Sequence, residues 1–194
     1  MRRRNVYILL LAVLILSVVF YWGNFAFAVS KAASTAQVGT ARESNATVNP
    51  GFCIYPDSKL GELVADELRN RGHRVLLLSA PVQCDGQFAA LWVEWINVTY
   101  TPVFARGEIK VIAIYSSAGD PTHYLRYRNA TDRRTALIDF EKTEVPQIRS
   151  YVILTVSDTS KGIMSLRGYA DHLMEQSAKA LADSLEKLGK EGAE

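Results

Sequence analysis

Three consecutive arginines, Arg2-Arg3-Arg4, stand directly before a run from Val6 to Trp22 that holds no charged residue. No other feature constrains the chain as strongly. Positive charge ahead of an apolar span holds the N-terminus in the cytoplasm, so everything after the span is sent across the membrane. A spanning helix needs about 20 apolar residues, with roughly 17–25 tolerated. Val6 to Trp22 lies at the short end, and the run reaches spanning length when Phe25 to Val29 are counted beyond the break at Gly23-Asn24. The rival is a cleavable signal peptide, for which Ala26-Phe27-Ala28 supplies a small-x-small site. The apolar stretch exceeds the usual 7–15 or so residues of such a signal, which favours a retained anchor. Either fate places the remainder outside the cytoplasm.

The charge balance agrees with that division. The chain of 194 residues has 22 Lys and Arg against 20 Asp and Glu. Without the three leading arginines, and with no acid before Glu43, 19 bases face 20 acids. The exported part is close to neutral, and the basic excess is a topology signal rather than a nucleic-acid footprint.

Composition then divides the chain. Residues 1–5 form a cytoplasmic tail, 6–28 the transmembrane signal anchor, 29–50 a linker, 51–189 one ectodomain and 190–194 a disordered tail. From Ser30 to Pro50 there is no aromatic residue, Leu or Ile, and small polar residues dominate. Such a stretch cannot offset its ordering entropy by burial, which predicts a flexible stalk.

The ectodomain pattern predicts a strand at Phe52–Pro56, then a helix capped by Asp57 or Ser58 with Leu60, Leu63, Val64 and Leu68 on one face. Gly72 stops that helix. His73–Ser79 reads as a strand covered on both faces. Strands follow at Phe88–Tyr100 and Glu108–Ser116, then a turn at Ser117–Pro121. Shorter strands are expected at Thr122–Arg128, Thr135–Glu141 and Tyr151–Ser157. From near Ile163, the residues Leu166, Tyr169, Ala170, Leu173, Ala178, Leu181, Leu185 and Leu188 recur at helical spacing, with fraying from Gly189. The expected architecture is α+β: a two-layer sandwich of a mixed, mostly antiparallel sheet with two helices, preceded by the transmembrane helix. Trp92, Trp95, Tyr100, Phe104 and Tyr115 are expected to pack under those helices.

Several residues invite a chemical reading. Cys53 and Cys84 are the two cysteines of an exported domain, where a lone pair is usually a disulfide. Asn45, Asn97 and Asn129 each open an N-x-T sequon and are candidate glycosylation sites. Tyr124-Leu125-Arg126-Tyr127-Arg128 with Arg133-Arg134 interleaves arginine and aromatic rings, a partner-binding or polyanion-binding strip when exposed. The competing reading of that strip is an edge strand whose basic side chains discourage pairing. His73, His123 and His172 lack metal-ligand spacing, and Ser116 to Asp120 is not a nucleophile elbow. The chain carries no P-loop and no dinucleotide fingerprint. No cofactor or metal is called for, and an enzymatic role has no supporting motif.

The order of elements, with Gly72-His73-Arg74-Val75 turning into the second strand and Ser177-Ala178-Lys179-Ala180-Leu181 in the last helix, resembles envelope accessory domains of the TolB N-terminal, CsgG and transporter-auxiliary lipoprotein type. The chain departs from them by having no lipobox cysteine after its apolar run. The resemblance implies a non-enzymatic docking or assembly role with a partner in the envelope or at the surface, and no nucleic acid. The expectation is a single-pass membrane protein with its C-terminal domain outside. The alternatives are a secreted hydrolase or inhibitor-like protein cut after Ala28, or a structural envelope subunit.

Overall fold

The structure is a computed structural model and describes residues 2–56 and 58–191. Its elements in chain order are α1 (Arg2–Trp22), β1 (Ala26–Arg42), β2 (Phe52–Pro56), α2 (Lys59–Asn70), β3 (Val75–Leu77), β4 (Gln87–Thr101), β5 (Phe104–Ser116), α3 (Thr122–Asn129), α4 (Arg133–Ile138), β6 (Ile148–Met164) and α5 (Leu166–Glu191). The fold is mixed α+β with a single apolar helix at its N-terminus.

One six-stranded sheet runs in the order β1-β6-β5-β4-β2-β3. The pairs β1–β6, β6–β5 and β5–β4 are antiparallel, whereas β4–β2 and β2–β3 are parallel. Alternate residues of each strand face opposite sides. On the front face Ile54, Leu91, Val111, Tyr115, Val152 and Leu154 meet Leu60, Val64 and Leu68 of α2 and Leu173, Leu181 and Leu185 of α5 in one buried core. On the back face Phe88, Ala90, Ile112 and Ile114 pack with Tyr124 of α3 and Leu137 of α4. The sheet therefore carries helices on both faces, not two helices on one.

The leucine periodicity of α2 and α5 was legible because each presents a single stripe to the front core. The Gly107 position allows α5 to lie close: a Cβ there would stand 2.8 Å from both the Tyr169 hydroxyl and a Leu173 methyl. At Ser58 the backbone is extended as an N-cap requires, yet its hydroxyl makes no cap bond and is buried without a partner. The alternative cap, Asp57, lies outside the described residues.

Several expectations from the sequence need correction. The segment read as a flexible linker is mostly β1, which pairs with β6 without a break from Ala26↔Met164 to Arg42↔Ile148. Its side chains are largely exposed, so the strand is held by its backbone ladder and leaves no apolar alternation to read. The apolar helix expected over 6–28 is shortened by the same finding, because α1 ends at Trp22 and Ala26 to Ala28 belong to the sheet. The 73–79 strand is only three residues long and lies at the sheet edge, with Leu76 and Leu77 exposed rather than covered.

The 122–128 and 135–141 segments are helices α3 and α4. Asp120 accepts from the Thr122 amide and hydroxyl, and Asp132 accepts from the amides of Arg134 and Thr135, so each segment starts from an acceptor aimed at free helical amides. Finally, α5 starts at Leu166 and runs without fraying past Gly189 to Glu191; residues from 192 onward lie outside the described part. Residues 2–5 of the expected tail already belong to α1.

Candidate functional site

A β-bulge in β4 builds the site. The pairing passes from Val93↔Val111 directly to Trp95↔Lys110, which leaves Glu94 as the extra residue. The bulge puts Trp92 and Trp95 on the same, back face although three positions separate them. This is why the strand alternates imperfectly in sequence. Glu94 then forms an ion pair with Lys110 at 2.8 Å.

Above this floor, α3 and α4 supply the walls of a groove of about 760 Å³ lined by Trp92, Lys110, Tyr127, Arg133, Arg134 and Leu137 among others. The Trp92 and Tyr127 rings lie 5.0 Å apart. The Arg133 guanidinium sits 5.9 Å from the Tyr127 ring centroid, within cation–π range. Burial pushes the Tyr127 hydroxyl above its ordinary pKa, so the phenol stays neutral.

The helical conformation sorts the predicted arginine strip. Arg126 is committed to Asp139 at 2.8 Å and Glu141 at 3.0 Å. Arg128 interacts with the hydroxyls of Tyr55 and Tyr124. Arg133 and Arg134, by contrast, are exposed, and among the described residues neither has a carboxylate within ion-pair distance. Tyr127 turns its ring into the groove beside them. The structure thus brings together Tyr127, Arg133 and Arg134, adds Trp92, and takes Arg126 and Arg128 out of the set. An arginine strip was visible in the sequence; which arginines are already paired was not, because Asp139 and Tyr55 reach them only through the fold.

The remaining predicted positions are scattered. Cys53 of β2 and Cys84 of the β3–β4 loop are joined in a disulfide, with Cα atoms 6.7 Å apart. Gly119 packs against that loop at φ +78°, where a Cβ would lie 2.0 Å from the Cys84 carbonyl oxygen, and the Cys84 amide donates to the Gly119 carbonyl. Asn45 sits in a turn after β1, Asn97 in β4 and Asn129 at the end of α3, all three exposed. A second cleft of about 790 Å³ beside the disulfide carries the opposite charges Arg74 and Asp85 and no exposed ring. It has less to grip a ligand with than the groove. Among the described residues no group of three or more His, Cys, Asp or Glu is placed to hold a metal.

Sequence reasoning missed a buried polar cluster under α5. Ser30 of β1 and Ser160 of β6 both donate to the Asp158 carboxylate, and His172 Nε2 lies 2.9 Å from the Ser30 hydroxyl. Ser, His and Asp side chains meet here, but Ser30 and Asp158 face the same ring nitrogen. A nucleophilic triad needs the carboxylate on the opposite nitrogen. The cluster works as a polar staple.

No protein-family model and no curated protein matches the chain. Solved structures that match the chain include the PelC dodecamer from Paraburkholderia phytofirmans, at 11% identity over 76% of this chain and 98% of that one with a TM-score of 0.34. A point variant of the same dodecamer gives 12% identity, the same coverage and a TM-score of 0.33. At these values the likeness carries no functional argument, and the resemblance to the TolB and CsgG types stays one of pattern.

Proposed function

We propose that the protein is a non-catalytic binding module of the cell envelope, held at the membrane by α1 with its domain outside, whose groove takes an anionic component of the envelope. The observation that carries this reading is the pair of exposed guanidinium groups of Arg133 and Arg134 beside the Trp92 and Tyr127 rings, neither within ion-pair distance of a carboxylate among the described residues. Guanidinium forks bind carboxylates and phosphates bidentately, and flat rings offer apolar faces to the C–H surface of a sugar. An acidic polysaccharide matches both halves of the groove. Retention of α1 is supported by β1: cleavage after Ala28 would strip three residues from its ladder with β6 and remove the bond from the Ser165 amide to the Phe25 carbonyl. The basic residues before the span orient it with the N-terminus inside.

The test is titration of the full-length protein in lipid nanodiscs with alginate, and with neutral dextran as control. Alginate is expected to bind with an affinity that falls as salt rises, and R133E/R134E to weaken it at least tenfold while the circular dichroism stays unchanged. Equal binding of dextran, or no effect of the double variant, would overturn the reading.

A second reading, a structural envelope subunit, is favoured by one observation. The outer edge of β1 runs over 17 residues without a proline, and among the described residues no strand pairs with it. A long unpaired edge is a template for pairing with another chain. It predicts self-association of the full chain in detergent by sedimentation, and a monomer at every concentration counts against it.

A further inference from the structure

We infer that the lower end of the back face, where β1, β6 and β5 begin or end beside α1, is a second membrane contact that rests on the lipid surface. Three cross-strand rows define it. Phe27 pairs with Ile163; Val29 pairs with Lys161, which pairs with Phe104; and Lys31 pairs with Thr159, which pairs with Arg106. Residues paired in register point to the same face, so the surface passes from apolar to mixed to cationic over two steps of about 7 Å each. Phe27 is 78% exposed, Val29 75% and Ile163 55%, and Val103 at the adjoining β4–β5 turn is 63% exposed. Lys31, Arg106 and Lys161 are exposed, and none has a carboxylate within ion-pair distance among the described residues.

What covers this patch follows from its continuity with α1. The apolar window Asn5–Trp22 is long enough to cross a bilayer, and only Gly23 to Phe25 separate it from β1. Three residues reach no more than about 11 Å. The connection is also tied down: the Tyr100 hydroxyl lies 2.7 Å from the Met164 carbonyl and 3.1 Å from the Phe20 carbonyl, which share its one proton, and the Ser165 amide donates to the Phe25 carbonyl at 2.8 Å. The rings of Phe20, Phe25 and Phe27 form an unbroken series, at 5.6 and 6.4 Å, from the helix onto the back face. With α1 in the bilayer, Phe27 and Ile163 reach the acyl boundary, and the cationic row meets anionic headgroup phosphates one step further out, the order an interfacial surface needs. The domain is then oriented on the membrane by two contacts, which presents the groove in a set direction.

The inference rests on the reading of α1 as a span, and one experiment separates the two. Full-length protein with labelled valine and isoleucine methyls is placed in nanodiscs containing anionic lipid and 5-doxyl phosphatidylcholine. The methyls of Val29, Val103 and Ile163 are expected to lose at least half of their intensity relative to nanodiscs without the spin label, while Val82 and Ile138 keep theirs. K31E/R106E/K161E is expected to restore the signals at Val103 and Ile163 at least partly, without changing those of α1. Broadening confined to Val6–Val19 would overturn the membrane contact and leave the anchor standing. No broadening at either set would overturn the anchor and this inference with it.

Discussion

Ser30 of β1 and His172 of α5 are hydrogen-bonded at 2.9 Å across 142 positions of sequence. Through the buried Asp158, which accepts from both Ser30 and Ser160, this contact fastens the edge strand to the last helix. The strand has few apolar anchors of its own, so the polar staple matters to it more than a comparable contact would to a core strand. Ser30→Ala removes one donor from a buried carboxylate and is expected to cost about 1–3 kcal/mol. Chemical denaturation reads that loss, and amide exchange should quicken in β1 before it does in β5. Ser160→Ala combined with Ser30→Ala should deviate from additivity, because both donors serve one carboxylate.

The Cys53–Cys84 bridge closes a loop across 31 positions that contains α2 and β3. In the chain-entropy account a loop of that size adds roughly 3–4 kcal/mol. Replacing both cysteines by alanine should therefore lower the denaturation midpoint without changing the secondary structure. Loosening should be seen first in the edge strand β3, which pairs over only three residues.

Burial of His123 between Phe140 and the back-face core lowers its pKa to about 4, and its Nε2 has no partner. The folded state thus binds its proton less tightly than the unfolded chain, whose ordinary value is about 6.5. The sign follows: the contribution is complete above about pH 6.5 and is lost as pH falls from there towards 4, by at most roughly 3 kcal/mol. Thermal unfolding followed between pH 7 and 4 should show this slope, and His123→Phe should flatten it. A carboxylate such as Glu186 gives a different window. Burial would raise its pKa, but the His73 hydrogen bond and the Arg71 charge prevail and hold it below the ordinary value, so its loss begins at lower pH.

Asp132 caps α4 through the amides of Arg134 and Thr135 and accepts from the Thr135 hydroxyl as well. Asp132→Ala should cost about 1 kcal/mol and fray the helix that carries Arg133 and Arg134. A weaker groove with a folded core is the expected outcome: reduced alginate affinity in titration, with the denaturation midpoint shifted by only a few degrees.

Gly107→Val would drive side-chain atoms into Tyr169 and Leu173 of α5, where even a Cβ finds 2.8 Å. Overpacking of this kind costs about 1–3 kcal/mol. Its signature should be a loss of the contact between the Tyr169 hydroxyl and the Asp158 carbonyl, read as a fall of the tyrosine pKa from its burial-raised position.

Apolar stripes and unbroken apolar runs were readable directly. The α2 and α5 faces and the apolar N-terminal helix each bury or expose one kind of surface along their length, and periodicity reports that; β4 and β5 were readable from their runs of apolar and β-branched residues. Segments held by hydrogen bonds were not readable. β1 carries small polar residues because its side chains meet water, and its register with β6 is written in backbone groups that every residue has. At 122–138 the alternation suggested strands, but Asp120 and Asp132 offer acceptors to helical amides, and that local chemistry prevailed.

The candidate site divides along the same line. Tyr127, Arg133 and Arg134 could be named from composition, and Trp92 only as one of a dense aromatic group. That Arg126 is neutralised by Asp139, or that Trp92 lies against Tyr127, required the fold to bring distant segments together.

By itself the sequence determined the long apolar helix at the N-terminus and the mixed class of fold, because both depend on sums over many residues: the apolarity of the first 22, and the stripes of two helices. The tertiary structure decided whether the domain swings on a stalk or is fixed to its helix. It is fixed, since Phe20, Phe25, Tyr100 and Ser165 meet within three residues of the end of α1. A backbone ladder and a few long-range hydrogen bonds leave no trace in residue type, and these are the interactions that made the decision.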